Sequence, residues 1–388
     1  MIAITYAAPT GPFRVGVRDG ETMDVTYPAM RPEDENGRRI MVRVWYPANP
    51  VGMERRPYLV GSESLLVQWC TEANGAPAEW TNLLSEVMTH SFENAEAVAG
   101  AFPTLMFSHG ATSWVSQNTP LMEHLASHGY IVWAVAHPGE ASGVRYQDGK
   151  LVKYDDKFHD TFVGLVTDPT YMDKLTGNVA RRLEVTPNFL DGNAMGPWAQ
   201  RWVDDMRATI DAIESKTIEG AAGELATASD IDTLGILGMS FGAATAASTA
   251  QQDHRVKGVV NLDGGQFLSD LFVTDIRIPL LHLATDMRGQ LEAMGIPGVT
   301  TIDANEFFFE PLHTAGTRED VVRLCVQDLT HFELTDFVLL PIQERSRVLS
   351  AGGKVESQRA VDLINVFVRA YFDAVLLEQD SGFPGTQL

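Results

Sequence analysis

Seven short apolar runs punctuate the chain, each ending in turn residues: Ile40–Tyr46, Thr104–Ser108, Tyr130–Ala136, Leu234–Leu237, Val256–Leu262, Pro279–Ala284 and Val322–Val326. Most are nearly continuous in apolar character rather than alternating, which suits strands covered on both faces of a mostly parallel sheet. Helical stretches lie between them. Pro120–Ser127 spaces Leu121, Leu125 and Ala126 helically, and Trp198–Ser215 sets Trp202, Met206, Ile210 and Ile213 on one stripe. Phe241–Gln251 is small and apolar, and Val355–Leu377 reads as a long C-terminal helix. Strands alternating with helices predict an α/β fold with helices on both faces of the sheet.

One interval breaks the alternation. Between the strand ending near Ala136 and the helix starting near Trp198 no clean strand is visible, and Gly, Asp, Pro and aromatic residues mix through it. A structureless loop of about 60 residues does not fit inside a compact domain. The expectation is therefore one domain over residues 1–388, with an inserted cap or lid over 138–198. A chain of 388 residues is long enough for both.

Charge narrows the partners. With 29 basic and 51 acidic residues the formal charge is −22, a field that repels phosphate backbones and anionic lipid surfaces. Nucleic acid is excluded as a partner on that ground. Cys70 and Cys325 make neither a disulfide framework nor a CxxC motif and read as buried free thiols, with a single disulfide between them as the alternative. The histidines show no HxH or HExxH spacing, so no metal or cofactor is expected. The opening MIAITYAAPTGPF lacks a basic n-region and an apolar core, so the expected location is cytoplasmic.

The segment Leu234–Gly242 (LGILGMSFG) runs into AATAASTA. Gly238-Met239-Ser240-Phe241-Gly242 fits G-x-S-x-G, with an apolar strand before it and a small-residue helix after it, the context in which that motif holds a nucleophile on a sharp turn. The glycines permit a turn too tight for Cβ atoms, and Ser240 falls at a helix N-terminus, where backbone N–H groups favour negative charge.

A serine hydroxyl needs a base, and the base an orienting acid. In α/β-hydrolases these follow in the order Ser, acid, His. Asp263, ending VVNLDGG, and Asp286, ending LLHLATD, both stand at the carboxyl ends of expected strands, where ligands gather in such sheets. His331 follows the last apolar run and is preferred as base over His313, which precedes it. His313, His282 and His254 read as surface or core packing. One oxyanion donor is expected from the N–H of Phe241. The other is expected from Ala111, in the loop SHGATSW, where Gly110 lets the backbone fold close and His109 holds the loop by its ring nitrogens.

These segments together are similar to a known family. TGPFRVG, MVRVWYPA, FSHGATSW, LASHGYIVWAVAHPG, GMSFGAAT, VVNLDG and LTHFELTDF resemble, in that order, the platelet-activating factor acetylhydrolase family, the lipoprotein-associated phospholipase type and its bacterial relatives. The resemblance runs from about Pro9 to His331 and beyond. It implies an α/β-hydrolase fold and a serine esterase with nucleophile Ser240, base His331, acid Asp263 in its LDG context, and Ala111 as second oxyanion donor; Asp286 stays the runner-up. The chain departs from the vertebrate members in HPGEASG after the fourth strand and in Glu79–Val98. There Trp80, Leu83, Leu84, Val87 and Met88 keep helical spacing but Glu86, Glu93 and Glu96 interrupt the apolar surface. A helix packed on its own protein is the expectation there, and membrane binding is disfavoured.

Aromatic residues beside the motifs are candidates to line the acyl pocket: Trp114, Phe267, Phe332 and Trp198. Phe307–Phe309 reads as core. The partner expected is a small-molecule ester with a short or aromatic acyl group. Phthalate-type or synthetic polyester esters form a second reading, and a non-catalytic ligand receptor of the same fold a third.

Overall fold

The apolar runs lie side by side in one sheet of the computed structural model, which describes residues 4–27, 34–176, 178–287, 289, 292, 305, 307–312, 316–348 and 354–385. The strands are β1 (Arg14–Asp24), β2 (Arg38–Asn49), β3 (Ser91–Glu93), β4 (Glu96–Ala97), β5 (Phe102–Ser108), β6 (Ile131–Ala136), β7 (Gly143–Arg145), β8 (Leu151–Lys153), β9 (Ser229–Met239), β10 (Val256–Leu262), β11 (Leu280–Thr285) and β12 (Val321–Val326). The sheet order is β12-β11-β10-β9-β5-β6-β2-β1-β3, with β4 on β2. From β12 to β6 every pairing is parallel. β2 is antiparallel to both β6 and β1. This is the α/β-hydrolase fold expected from the sequence.

Successive residues of a strand face opposite sides, and both sides are covered. On β5, Leu105 and Phe107 join one core and Met106 the other. The first core takes Leu66, Val67 and Cys70 of α1 (Glu63–Ala73), Trp80 and Leu84 of α2 (Glu79–Ser85), Leu121 and Leu125 of α3 (Thr119–Ser127), and Ile364, Val368 and Phe372 of the C-terminal helix Ser357–Leu377. The second takes Trp202, Met206, Ile210 and Ile213 of α7 (Gly196–Ser215) and the alanines of α8 (Phe241–Gln252). Cys70 and Cys325 are both free thiols, but only Cys70 is buried as expected; Cys325, near the end of the edge strand β12, is half-buried, and burial pushes the Cys70 group up to about 12.

Two stretches differ from expectation. Helix in Glu79–Val98 stops at Ser85, because the chain then turns to add β3 to β1 and β4 to β2. β1 was hidden by the charges and glycines of RVGVRDGETMD; it forms because it pairs along its whole length with β2. The interval between β6 and α7 holds the antiparallel hairpin β7–β8, then α4 (Asp156–Val166), α5 (Pro169–Thr176) and α6 (Val179–Gly192). Phe158 of α4 sets its ring edge-on to Trp198 and to Phe241, so this segment lies against the start of α8. Among the described residues no helix is long and apolar enough to cross a membrane.

Two buried carboxyls make stability depend on pH. Glu123 accepts hydrogen bonds from the Tyr6 hydroxyl (2.7 Å), the His90 N–H (2.8 Å) and the Ser91 hydroxyl (2.5 Å). Asp336 accepts from the Tyr58 hydroxyl (2.6 Å) and the Thr119 N–H (2.8 Å). Burial pushes each up to about 7. A carboxyl whose folded value lies above its unfolded one holds its proton more tightly when folded, so its contribution is complete below the unfolded value and is lost as pH rises through the folded one. The contribution of these two carboxyls is expected to be lost between about pH 4 and pH 7, while the buried rings of His109 and His124, pushed down to about 3 by burial, act in the opposite sense over the same window. Asp336→Asn keeps an acceptor oxygen for both donors and removes one of these titrations, so its melting temperature plotted against pH should slope upward relative to that of the wild type across this window. An unchanged slope would remove Asp336 from the cause. Glu63, held at about 2 against burial by Arg43 and Arg56, acts only on the acid side of this window.

Candidate active site

β9 delivers the chain to Ser240, and α8 starts at the next residue. Ser240 has φ 57° and ψ −123°, a backbone state that non-glycine residues rarely adopt and that is kept where the surroundings enforce it. The enforcing contacts are glycines. A Cβ on Gly238 would meet Gly242 O at 2.3 Å, and one on Gly242 would meet His109 O at 2.2 Å. The Ser240 N–H is tied to Leu262 O (2.9 Å).

Asp263 follows β10, also with positive φ (54°). Its N–H donates to Leu283 O (3.0 Å). Thr285 donates its N–H to Oδ1 (2.9 Å) and its hydroxyl to Oδ2 (2.7 Å). The next residue, Gly264, lies on the nucleophile turn: a Cβ there would sit 2.3 Å from Ser240 O. Its N–H donates to Asn261 Oδ1 (2.8 Å), and its carbonyl accepts from Asn261 Nδ2 (3.2 Å) and from the Asn305 amide. His331 opens a 3₁₀ turn, His331–Leu334, whose start is fixed by a capping box between Thr330 and Glu333. Glu333 is paired in turn with Arg345.

These three segments converge. Ser240 Oγ lies 2.9 Å from His331 Nε2, and His331 Nδ1 lies 2.7 Å from Asp263 Oδ2. The hydrogen bonds fit one tautomer: Nδ1–H donates to the carboxylate, and Nε2 accepts from the hydroxyl. Burial pushes the Asp263 carboxyl up, but the hydrogen bond and charge of His331, with the two bonds from Thr285, hold it below its ordinary value. Asp286 makes no such contact. Its N–H donates to Leu329 O (3.3 Å) and its Oδ1 accepts from Gly289 N–H (2.9 Å). His313 lies outside the described residues, and His254 is exposed.

The loop after β5 flanks the serine. Gly110 comes so close that a Cβ on it would lie 3.3 Å from Ser240 Cβ. His109 holds the loop as expected: its Nδ1 donates to Gly110 O (2.8 Å), and its Nε2 accepts the His137 N–H (3.2 Å). Burial and the adjacent His137 push the His109 ring down to about 3, so it is neutral. His137 continues inward to Ser108 Oγ (3.0 Å) and Asp205 (2.9 Å) and stacks on Trp202. This second serine–histidine–aspartate chain is wholly enclosed and braces the loop from beneath.

A pocket of about 240 Å3 opens beside Ser240, Asp263 and His331. Its walls include Phe162, Val166, Tyr171, Phe241, Phe267 and Met287, with His282 and Asn305 as polar groups. Of the four aromatic candidates only Phe267 is there. Trp114 is in the core on the other face of the sheet, against Phe337. Trp198 packs on Phe158. Phe332, next to His331, turns its ring toward Phe337. Phe308 and Phe309 are core, as expected. Sequence reasoning missed Phe162 and Val166, four apart on α4, and Tyr171 on α5, because it looked for pocket residues beside the motifs. His282, which reads as packing, is buried on β11 with Nδ1 3.2 Å from Asn261 Oδ1, and it also meets the pocket.

The sheet order and the sharp strand-to-helix turn at Ser240 give this chain the α/β-hydrolase fold. More particularly, residues 3–159 match the family model described as platelet-activating factor acetylhydrolase, isoform II. Among curated proteins the chain is similar to the platelet-activating factor acetylhydrolase of Cavia porcellus, 23% identical over 280 residues, and to that of Bos taurus, 26% identical over 192. These matches cover 71% and 48% of this chain and 58% and 40% of the relatives, so the chain spans about half the length of the curated relatives it matches. Among solved structures, a ferulic acid esterase from Streptomyces cinnamoneus superposes with a TM-score of 0.68, at 22% identity, over 100% of this chain and 97% of its own. That likeness is one of fold.

Proposed function

We infer that the chain is a serine esterase working through an acyl-enzyme. The observation that carries the reading is the unbroken hydrogen-bond chain from Ser240 through His331 to Asp263, open to a pocket. The relatives named as acetylhydrolases and the neighbour named as an esterase point the same way. Ser240 Oγ attacks the ester carbonyl as its proton passes to His331 Nε2, and Asp263 stabilises the imidazolium. The N–H groups of Ala111 and Phe241 take the oxyanion, with α8 adding its positive end. His331 then returns the proton to the leaving alcohol, and water resolves the acyl-enzyme with His331 as base.

The substrate read from the pocket is an ester with a short or aromatic acyl group. A volume of about 240 Å3 is below the roughly 300–1,000 Å3 of sites that take drug-sized ligands. The aromatic wall of Phe162, Tyr171, Phe241 and Phe267 also suits a phthalate-type ester, which is the second reading. p-Nitrophenyl acetate, butyrate, benzoate and decanoate, beside a dispersed phospholipid and a dialkyl phthalate, test both. The acetate, butyrate and benzoate are expected to exceed the decanoate by about tenfold or more in kcat/KM. A preference for decanoate or phospholipid would contradict the substrate reading. Hydrolysis of none of them would contradict the esterase itself and favour a ligand-binding role.

A further inference from the structure

Two loops that share no strand meet at Ser240. One carries Gly110 and Ala111, the other His331. Between them runs a chain of side-chain amides. The Gly110 N–H donates to Gln117 Oε1 (3.0 Å), Gln117 Nε2 donates to Asn118 Oδ1 (3.0 Å), and Asn118 Nδ2 donates to Leu334 O (2.7 Å), the last residue of the turn opened by His331. Backbone bonds run alongside it: Asp336 N–H donates to Gln117 O (2.7 Å) and Thr119 N–H to Asp336 Oδ2 (2.8 Å). Both amides are buried.

The chain is directional. Each amide accepts at one end and donates at the other, which neither a carboxylate nor a hydroxyl of that reach does in the same sense. It also acts on the right peptide. Gly110 is held from both sides, its N–H by Gln117 and its C=O by His109 Nδ1. In a trans peptide the N–H points opposite to the C=O, so fixing Gly110 O toward His109 turns the Ala111 N–H away from that ring. The plane of the donor peptide is therefore set by two side chains, and one of them is tied to the base-bearing turn.

We propose that Gln117 and Asn118 are positioning residues that hold the oxyanion-binding loop in register with His331, so that the donor of Ala111 and the base reach the same tetrahedral centre together. The proposal rests on the esterase reading. Misplacing a positioned group by about 1 Å costs on the order of a hundredfold in rate. Gln117→Met, which keeps the length and removes both hydrogen bonds, is expected to lower kcat by about 10- to 100-fold while KM stays within about twofold.

A second readout separates positioning from support of the fold. A trifluoromethyl ketone adds to Ser240 Oγ, the serine proton passes to His331, and the hemiketal oxygen carries the negative charge the loop is meant to bind. Its affinity should fall by the same factor as kcat/KM, and Gln117→Glu, which restores an acceptor to Gly110, should recover part of it. Should Gln117→Met not fold, Asn118→Ala cuts the same chain one link further on and is expected to shift both readouts in the same direction. Variants that lose melting temperature but keep wild-type kcat and ketone affinity would overturn the proposal and leave the esterase reading intact. A wild type that hydrolyses no ester would overturn both.

Discussion

Ser240→Ala is expected to lower kcat for a p-nitrophenyl ester by about six orders of magnitude while leaving the melting temperature unchanged. The size of the loss follows from the unit nature of the site. Without the hydroxyl, the His331–Asp263 pair has no proton to accept and no acyl-enzyme forms; what remains is the stabilisation from the oxyanion donors. The fold should be indifferent, because the unusual backbone at position 240 is imposed by Gly238, Gly242 and Gly264 and by the bond to Leu262 O, none of which involves the serine side chain. Burst kinetics in the wild type, absent in the variant, would show the acyl-enzyme directly. Equal rates in the two proteins would dismiss Ser240 as the nucleophile.

The second large effect is expected at the acid. Asp263→Asn should lower kcat by about four orders of magnitude. Oδ2 accepts the Nδ1–H of His331 (2.7 Å). An amide NH2 placed there would favour the other tautomer, with the proton on Nε2, and that nitrogen could no longer accept from Ser240 (2.9 Å). The asparagine oxygen, at the Oδ1 position, still accepts from the Thr285 N–H, and the NH2 can donate to the Thr285 hydroxyl oxygen once that hydroxyl turns, so the protein is expected to fold. Asp286→Asn is the control. Among the described residues that carboxylate caps Gly289 N–H and does not meet His331, and its loss should leave the rate essentially unchanged. A large drop in the Asp286 variant with none in Asp263→Asn would exchange the two carboxylates.

Much of the fold is legible in the residues. Strands that run through the middle of a parallel sheet must be apolar on both faces, so β5, β6, β9, β10 and β11 announce themselves as unbroken runs. β1 sits toward one edge of the sheet, where charged residues and glycines are tolerated, and its pairing with β2 is a tertiary fact that RVGVRDGETMD does not display. Glu79–Val98 misleads for the same reason. Its helical spacing is real, but sheet pairing captures the second half.

The site divides similarly. Ser240, Asp263 and His331 are marked by local chemistry: glycines at the turn, LDG after a strand, a histidine after the last strand. The pocket wall is marked by nothing local. Phe162 and Tyr171 reach it because α4 and α5 fold back over the start of α8, whereas Trp114, adjacent in sequence to the oxyanion loop, turns under the sheet. The Gln117–Asn118 chain is likewise invisible in the sequence, since it joins positions 216 residues apart.

The most direct test is covalent. A fluorophosphonate should add once to the protein and, after digestion, the adduct should lie on the peptide carrying Ser240, with labelling lost in Ser240→Ala and slowed in Asp263→Asn. An adduct on any other residue, or equal labelling of the Ser240→Ala protein, would contradict the assignment of that hydroxyl as the nucleophile.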